Sequence, residues 1–349
     1  MRVDSRPCST TIGFRSKTLA LALLIATTAP LAAQQGGAHN DPGSVRIDAM
    51  LGTPGRYGTA PLDNIFATTP GLEQQARRST FTFNILAPIS YTSNALLPPS
   101  GVPTDLNSAE FSPVVSLSWA TPVFDLPFRF SASARAEVDR YTAVPTADFD
   151  KIALAGRLQY VDPANDQAYS PYISYAPRWG YAPFYQDWLQ TRQDLTVGVN
   201  KTFNYDANFR RVPFSGNTLA ETTWSFGVTA FVQRRFSNPG PSSWAFAVIP
   251  SATYVISDQW NLSLGIDFMR RGFDSFQGGP PDEDWFLMPV ATLEYVLPSA
   301  WFGSERNATL LGRPALDFQI AYERNWSNNP TFDYSAWSVG AALKLGWRF

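Results

Sequence analysis

The carboxylates best spaced for acid–base work are Asp267, Glu294, Asp317 and Glu323, which fall at alternate positions of late periodic segments. Two such groups on neighbouring strands could share a proton as a general acid and a general base. No imidazole is available to them. The only histidine, His39, lies before the periodic part of the chain, so a Ser-His or Asp-His site on the strands is excluded. The only cysteine, Cys8, lies near the N-terminus, which removes disulfide staples, thiolate metal sites and a cysteine nucleophile from the rest of the chain. Phosphate-cradling, zincin and nucleophile-elbow motifs are absent in their proper contexts. The acidic run Asp282, Glu283 and Asp284 has the oxygen chemistry of a calcium loop, and reads first as a solvated loop. A second charged set, Arg129, Arg135, Lys151 and Arg157, also alternates with apolar residues. Charged groups so placed line a polar surface more readily than they catalyse, and we expect neither enzyme activity nor a cofactor or metal.

The elements that hold these groups have a period of two. Phe81, Phe83, Ile85, Ala87, Ile89 and Tyr91 interleave with Thr80, Thr82, Asn84 and Ser90. Phe128, Phe130, Ala132, Ala134, Ala136 and Val138 alternate with Arg129, Ser131, Ser133, Arg135, Glu137 and Asp139. Each segment is a strand with one apolar and one polar face. Twelve such segments run from residue 79 onward, with further members near 110–119, 151–160, 168–179, 192–203, 222–236, 243–255, 259–271, 285–296, 314–325 and 335–349. The fifth, broken by Pro171 and Pro177, and the sixth are the weakest, and counts of ten or fourteen stay open. Outward aromatics recur ten residues apart, at Trp244 and Tyr254, Trp285 and Tyr295, and Trp337 and Trp347. Ten residues of a strand tilted by roughly 40–45° rise about 23–25 Å, the height of a bilayer's apolar band.

The last segment, Trp337 to Phe349, carries apolar residues at every odd position and is too long for an ordinary soluble strand. A terminal Phe349 preceded by Trp347, Leu345 and Leu343 resembles the C-terminal assembly signal of Gram-negative outer-membrane β-barrel proteins. That resemblance implies an all-β fold, a transmembrane antiparallel up-and-down barrel of about twelve strands. It also implies an outer-membrane location, contact with outer-membrane lipid and recognition by a barrel assembly machinery.

Composition agrees. Arg2, Arg6, Arg15 and Lys17 precede an apolar stretch from Leu19 to Ala33, the pattern of a cleavable export signal over residues 1–33. Its removal leaves 23 basic and 28 acidic residues, a net charge of −5, so nucleic acid is not an expected partner. Mean hydropathy is −0.16 and no long apolar run follows the leader, as a barrel with a polar lumen requires. Residues 34–77, rich in Gly, Ala, Pro, Gln and Asp, read as a periplasmic extension, either disordered or folded into the barrel mouth as a partial plug. Residues 78–349 form the barrel.

With twelve strands both termini share the periplasmic side. Turns there should be short, as at 256–259, and connections 93–108, 272–284 and 326–334 should face outward; the long connection 204–221 fits this poorly. The function expected is passive diffusion of small hydrophilic solutes, with Arg129, Arg135, Lys151 and Arg157 forming a basic wall opposite the acidic Asp267, Glu294, Asp317 and Glu323. The alternative is a non-conducting barrel with a structural or loop-binding role.

Overall fold

The computed structural model describes residues 79–93, 107–124, 126–162, 168–212, 222–274, 282–304, 307–308, 311 and 313–348. The expected export signal over residues 1–33, the expected extension 34–77 and Phe349 lie outside the described residues. The chain folds as one antiparallel sheet whose last strand pairs with its first, closing a barrel of twelve strands. These are β1 (Thr80–Thr92), β2 (Ser108–Phe111 continued by Val114–Pro122), β3 (Phe128–Tyr141), β4 (Phe149–Tyr160), β5 (Ser170–Tyr181) and β6 (Trp188–Tyr205). Then follow β7 (Trp224–Asn238), β8 (Ser243–Val255), β9 (Trp260–Phe273), β10 (Glu283–Val296), β11 (Ala315–Ser327) and β12 (Tyr334–Arg348). Every strand pairs with its two sequence neighbours. Among the described residues no helix is long and apolar enough to cross a membrane.

Proline explains where the ladders lapse. β2 is interrupted at Ser112 and Pro113, where the missing N–H cannot be donated. Pro177, Pro250 and Pro289 sit mid-strand, and each keeps its register on one side, against Gln193, Val228 and Ile266. On the other side the pairing skips, from Ala153↔Arg178 to Gly156↔Tyr175, from Gly265↔Ser251 to Phe268↔Val248, and from Leu287↔Arg324 to Val290↔Ala321. One hydrogen bond is thus lost per proline without breaking the strand. The proline-interrupted fifth segment is therefore an intact strand.

The period of two resolves into an outer and an inner face. Outer positions are apolar and exposed around the ring, as at Ile89, Val197, Phe246, Leu264, Ile320 and Leu343. The aromatic residues spaced ten apart all belong to this face, with Trp244, Trp285 and Trp337 exposed and Tyr254, Tyr295 and Trp347 half-buried. Trp224 stacks on Tyr254 with ring centres 4.3 Å apart, and Trp260 meets Tyr295 at 4.5 Å, so one end of the barrel is girdled by contiguous rings. A water-soluble monomer does not expose an apolar belt of this extent.

Both ends of the described chain lie at the same end of the barrel, here the terminal end, as the pairing of Thr82 with Arg348 requires. Connections 123–127, 161–169, 206–223, 256–259 and 297–314 are at that end, and 93–107, 142–148, 182–187, 239–242, 274–282 and 328–333 at the far end. Long connections are therefore not confined to the far end, since 206–223 and 297–314 are the longest of all. This corrects the expectation of uniformly short turns beside the termini. Loop length reports local folding of the connection, as in the 3-10 turn Ser299–Phe302, and not only its side of the membrane.

Candidate functional site: the inner wall

Alternation points Arg129, Arg135, Lys151, Arg157, Asp267, Glu294, Asp317 and Glu323 away from the apolar belt. Each shares a face with buried Ser, Thr and Asn side chains, including Ser131, Thr292, Asn325 and Ser263. Inside the barrel many of the charges gather into three ion-paired clusters, of which only the first is balanced in charge. On β3 and β4, Arg135 Nη2 is 2.5 Å from Glu137 Oε2, while Lys151 Nζ bonds Glu137 Oε1 and lies 3.1 Å from Asp139 Oδ2. On β5 to β7, Arg235 grips Asp194 with Nε at 2.7 Å and Nη2 at 3.0 Å, and Arg178 adds a contact at 3.4 Å. On β9 to β12, Lys344 Nζ stands between Glu294 at 2.5 Å and Asp317 at 3.3 Å, and Asn261 Nδ2 donates to Glu294 at 2.9 Å.

These pairings change the expected electrostatics. The basic set on β3 and β4 and the acidic set on β9 to β11 do belong to different sectors of the ring. Each sector nevertheless carries its own counter-charges, because Glu137 and Asp139 lie against Lys151 and because Lys344 lies against both carboxylates. The compensation is partial: Arg129, Arg135, Lys151 and Arg157 face only Glu137 and Asp139 in one sector, and four carboxylates face Lys344 in the other, so local pairing reduces the difference between the two walls without removing it.

The four late carboxylates do not assemble into one site. Glu294 and Asp317 are register partners on β10 and β11, with Lys344 between them. Asp267 pairs instead with Met288 and Glu323 with Ala336, each six residues along its strand from the Glu294–Asp317 level, about 20 Å at ~3.4 Å per residue. Glu323 accepts a hydrogen bond from Tyr334 Oη at 2.5 Å. Lys344 ties two facing carboxylates to a third strand, an ion-paired arrangement that suits a lining. Among the described residues no group of three or more His, Cys, Asp and Glu side chains is placed to hold a metal ion. A cavity of about 10 Å³, room for one water, is lined by Leu86, Thr292, Asp317, Gln319 and Ala342.

Several inner-wall residues escaped the sequence reading. Asp194, Arg178 and Arg235 come from three strands, and two of them, Arg178 and Asp194, lie in the fifth and sixth segments, where alternation is weakest. Arg157 lies over the ring of Tyr172, its guanidinium carbon 3.8 Å from the ring centre. Tyr172 fits there because its neighbour on β6 is Gly198, where a Cβ would sit 2.7 Å from the Tyr172 ring and 2.8 Å from the Ala230 carbonyl oxygen. Gly180 makes room in the same way for the Phe149 ring.

A closed ring leaves no unpaired sheet edge, its outer face is apolar between aromatic girdles, and its inner face is mainly polar, with small apolar clusters at Leu86, Val114 and Ala342 and at Met288, Val290 and Ala321. Hydrocarbon outside and hydrogen-bonding groups inside are the terms on which strands cross a bilayer. The chain is a membrane-spanning β-barrel. No protein-family model matches it, and neither does any curated protein. Among solved structures, the barrel is similar to the COG4313 outer membrane channel from Pseudomonas putida F1 at 10% identity and a TM-score of 0.48, covering 77% of this chain and 95% of that one. NanC porin aligns at 9% identity and a TM-score of 0.40, over 75% of this chain and 98% of that one. The translocator domain of autotransporter NalP from Neisseria meningitidis aligns at 8% identity and a TM-score of 0.37, over 78% and 88%. These are likenesses of barrel architecture.

Proposed function

We propose that the barrel is a narrow channel in the Gram-negative outer membrane for passive diffusion of small hydrophilic solutes. One observation carries this reading: polar and charged side chains line the inner face on all twelve strands, which a barrel with only a structural duty does not require. Twelve strands ~4.8 Å apart and tilted roughly 40° enclose about 24 Å between backbones, before side chains are counted. Arg129, Arg135, Lys151, Arg157, Asp267, Glu294, Asp317 and Glu323 would line the path, and their local pairing predicts weak selectivity between anions and cations. Export by residues 1–33 and insertion guided by Leu343, Leu345, Trp347 and Phe349 complete the proposal, with residues 34–77 as a periplasmic extension or partial plug.

A second reading has its own support. Glu137, Lys151, Arg157, Arg192 and Glu323 are all nearly inaccessible to water, as in a bore closed by its lining. That favours a non-conducting barrel with a structural or loop-binding role. Planar-bilayer recording of the purified full-length protein separates the two. Discrete steps of small, weakly selective conductance support diffusion, and steady absence of current under all voltages supports the closed barrel.

A further inference from the structure

The outer face of the barrel is uncharged across its middle, and its strand-borne charges collect at one rim. Near the far end, β7, β9 and β11 each turn one arginine outward: Arg234, Arg270 and Arg324. Each guanidinium lies over a tryptophan of the girdle, with its central carbon 5.2 Å from the Trp244 ring centre, 5.5 Å from Trp285 and 5.4 Å from Trp326. Each also meets a carboxylate from the rim. Arg234 holds Asp274 with both terminal nitrogens, at 2.9 and 2.5 Å, Arg270 is 3.0 Å from Glu283, and Arg324 is 2.7 Å from Asp333. The opposite rim has no such series; the outward charge on its strands among the described side chains is Lys201, 4.1 Å above the Tyr169 ring.

The Arg270–Glu283 pair is exposed, while Arg234 and Arg324 are half-buried against their rings; surface ion pairs add little to stability, so their repetition on three alternate strands asks for another cause. Stacking and pairing hold each planar fork in one orientation, which lowers the entropy lost when it binds a further anion. A guanidinium has five N–H donors, of which the carboxylate takes two at Arg234 and one at Arg270. The exposed carboxylates beside them can take a divalent cation shared with a phosphate. Neighbouring arginines stand two strands apart and two residues out of level, about 12 Å between backbones at ~4.8 Å per strand and ~3.4 Å per residue. We propose that this arc is a docking surface for lipid headgroups bearing phosphate groups, bound with divalent cations, and best filled by a lipid carrying two phosphates at about that separation. The proposal needs the membrane-spanning barrel and is independent of whether the bore conducts.

The test titrates full-length protein in zwitterionic detergent, with magnesium present, against bisphosphorylated lipid A, monophosphoryl lipid A and phosphatidylcholine, and counts bound lipid by native mass spectrometry. The bisphosphorylated form should bind tightest, and Arg234→Gln and Arg270→Gln should each weaken it about three- to tenfold. Chelating magnesium should weaken it further, whereas Lys201→Gln should leave it unchanged. Equal binding of the three lipids by the unaltered protein overturns the proposal without recourse to any variant. So does an equal loss from Lys201→Gln, or wild-type affinity in both arginine variants that retain the folded, heat-modifiable gel mobility.

Discussion

Lys344 is the residue on which the late sector of the inner wall depends. It pairs with Glu294 and Asp317 from a third strand, and both carboxylates are nearly closed to water. Lys344→Met should cost about 2–4 kcal/mol, below the fully buried range because the lysine keeps partial contact with water. The urea midpoint of the folded species reads this, and adding Glu294→Gln should restore part of the loss. Gly198→Val should displace Tyr172 from beneath Arg157 and cost about 1–3 kcal/mol by the same measurement. Tyr185, in connection 182–187, donates from Oη to the Glu137 carbonyl oxygen at 3.0 Å, and burial, aided by the charge of Asp150, raises its phenol above the usual 10.0. A raised phenol contributes stability below about pH 10 that is lost as pH climbs through its folded value. Tyr185→Phe should therefore flatten the alkaline limb of a stability–pH curve, and an unaltered limb would show that this contact is idle. At this scale the sequence told which way a side chain points, because alternation is local. It did not tell who meets whom, since the partners of Lys344 lie on two other strands.

Strands explain what single residues do not. The outer belt predicts a penalty that depends on depth: Ala341→Arg, near the middle of β12, should destabilise by about 2–4 kcal/mol, and Trp337→Arg, at the girdle, by about 0–1 kcal/mol. Equal penalties in folding titrations into lipid vesicles would contradict the membrane placement. The boundaries of β12 and β8 were plain in the chain because apolar alternation runs unbroken between turn residues. The fifth strand was obscured by Pro171 and Pro177, whose cost is one ladder bond rather than a strand. The long connections 206–223 and 297–314 lie on the terminal side, where short turns were expected, because loop length carries no physical mark of side.

The whole molecule is a closed ring, and closure is what allows twelve half-apolar strands to exist without an exposed edge. An antiparallel barrel of about twelve strands was legible from period alone, although ten and fourteen stayed open. Which charges pair across strands was not, because that depends on three-dimensional proximity. Replacing both Arg135 and Lys151 by Gln should leave Glu137 and Asp139 as net negative charge inside and shift ion selectivity towards cations, a change that reversal-potential measurements detect if the bore conducts.

Everything rests on the alternation between lipid and lining. The direct measurement is a single-cysteine scan of Ala336 to Leu345 in reconstituted vesicles, made practical because Cys8 is the chain's only cysteine. Spin labels at each position are challenged with a lipid-dissolved and a water-dissolved relaxation agent. The account predicts that Trp337, Val339, Ala341, Leu343 and Leu345 respond to the lipid-dissolved agent and the even positions do not. A flat profile, or one with the even positions in lipid, would contradict it.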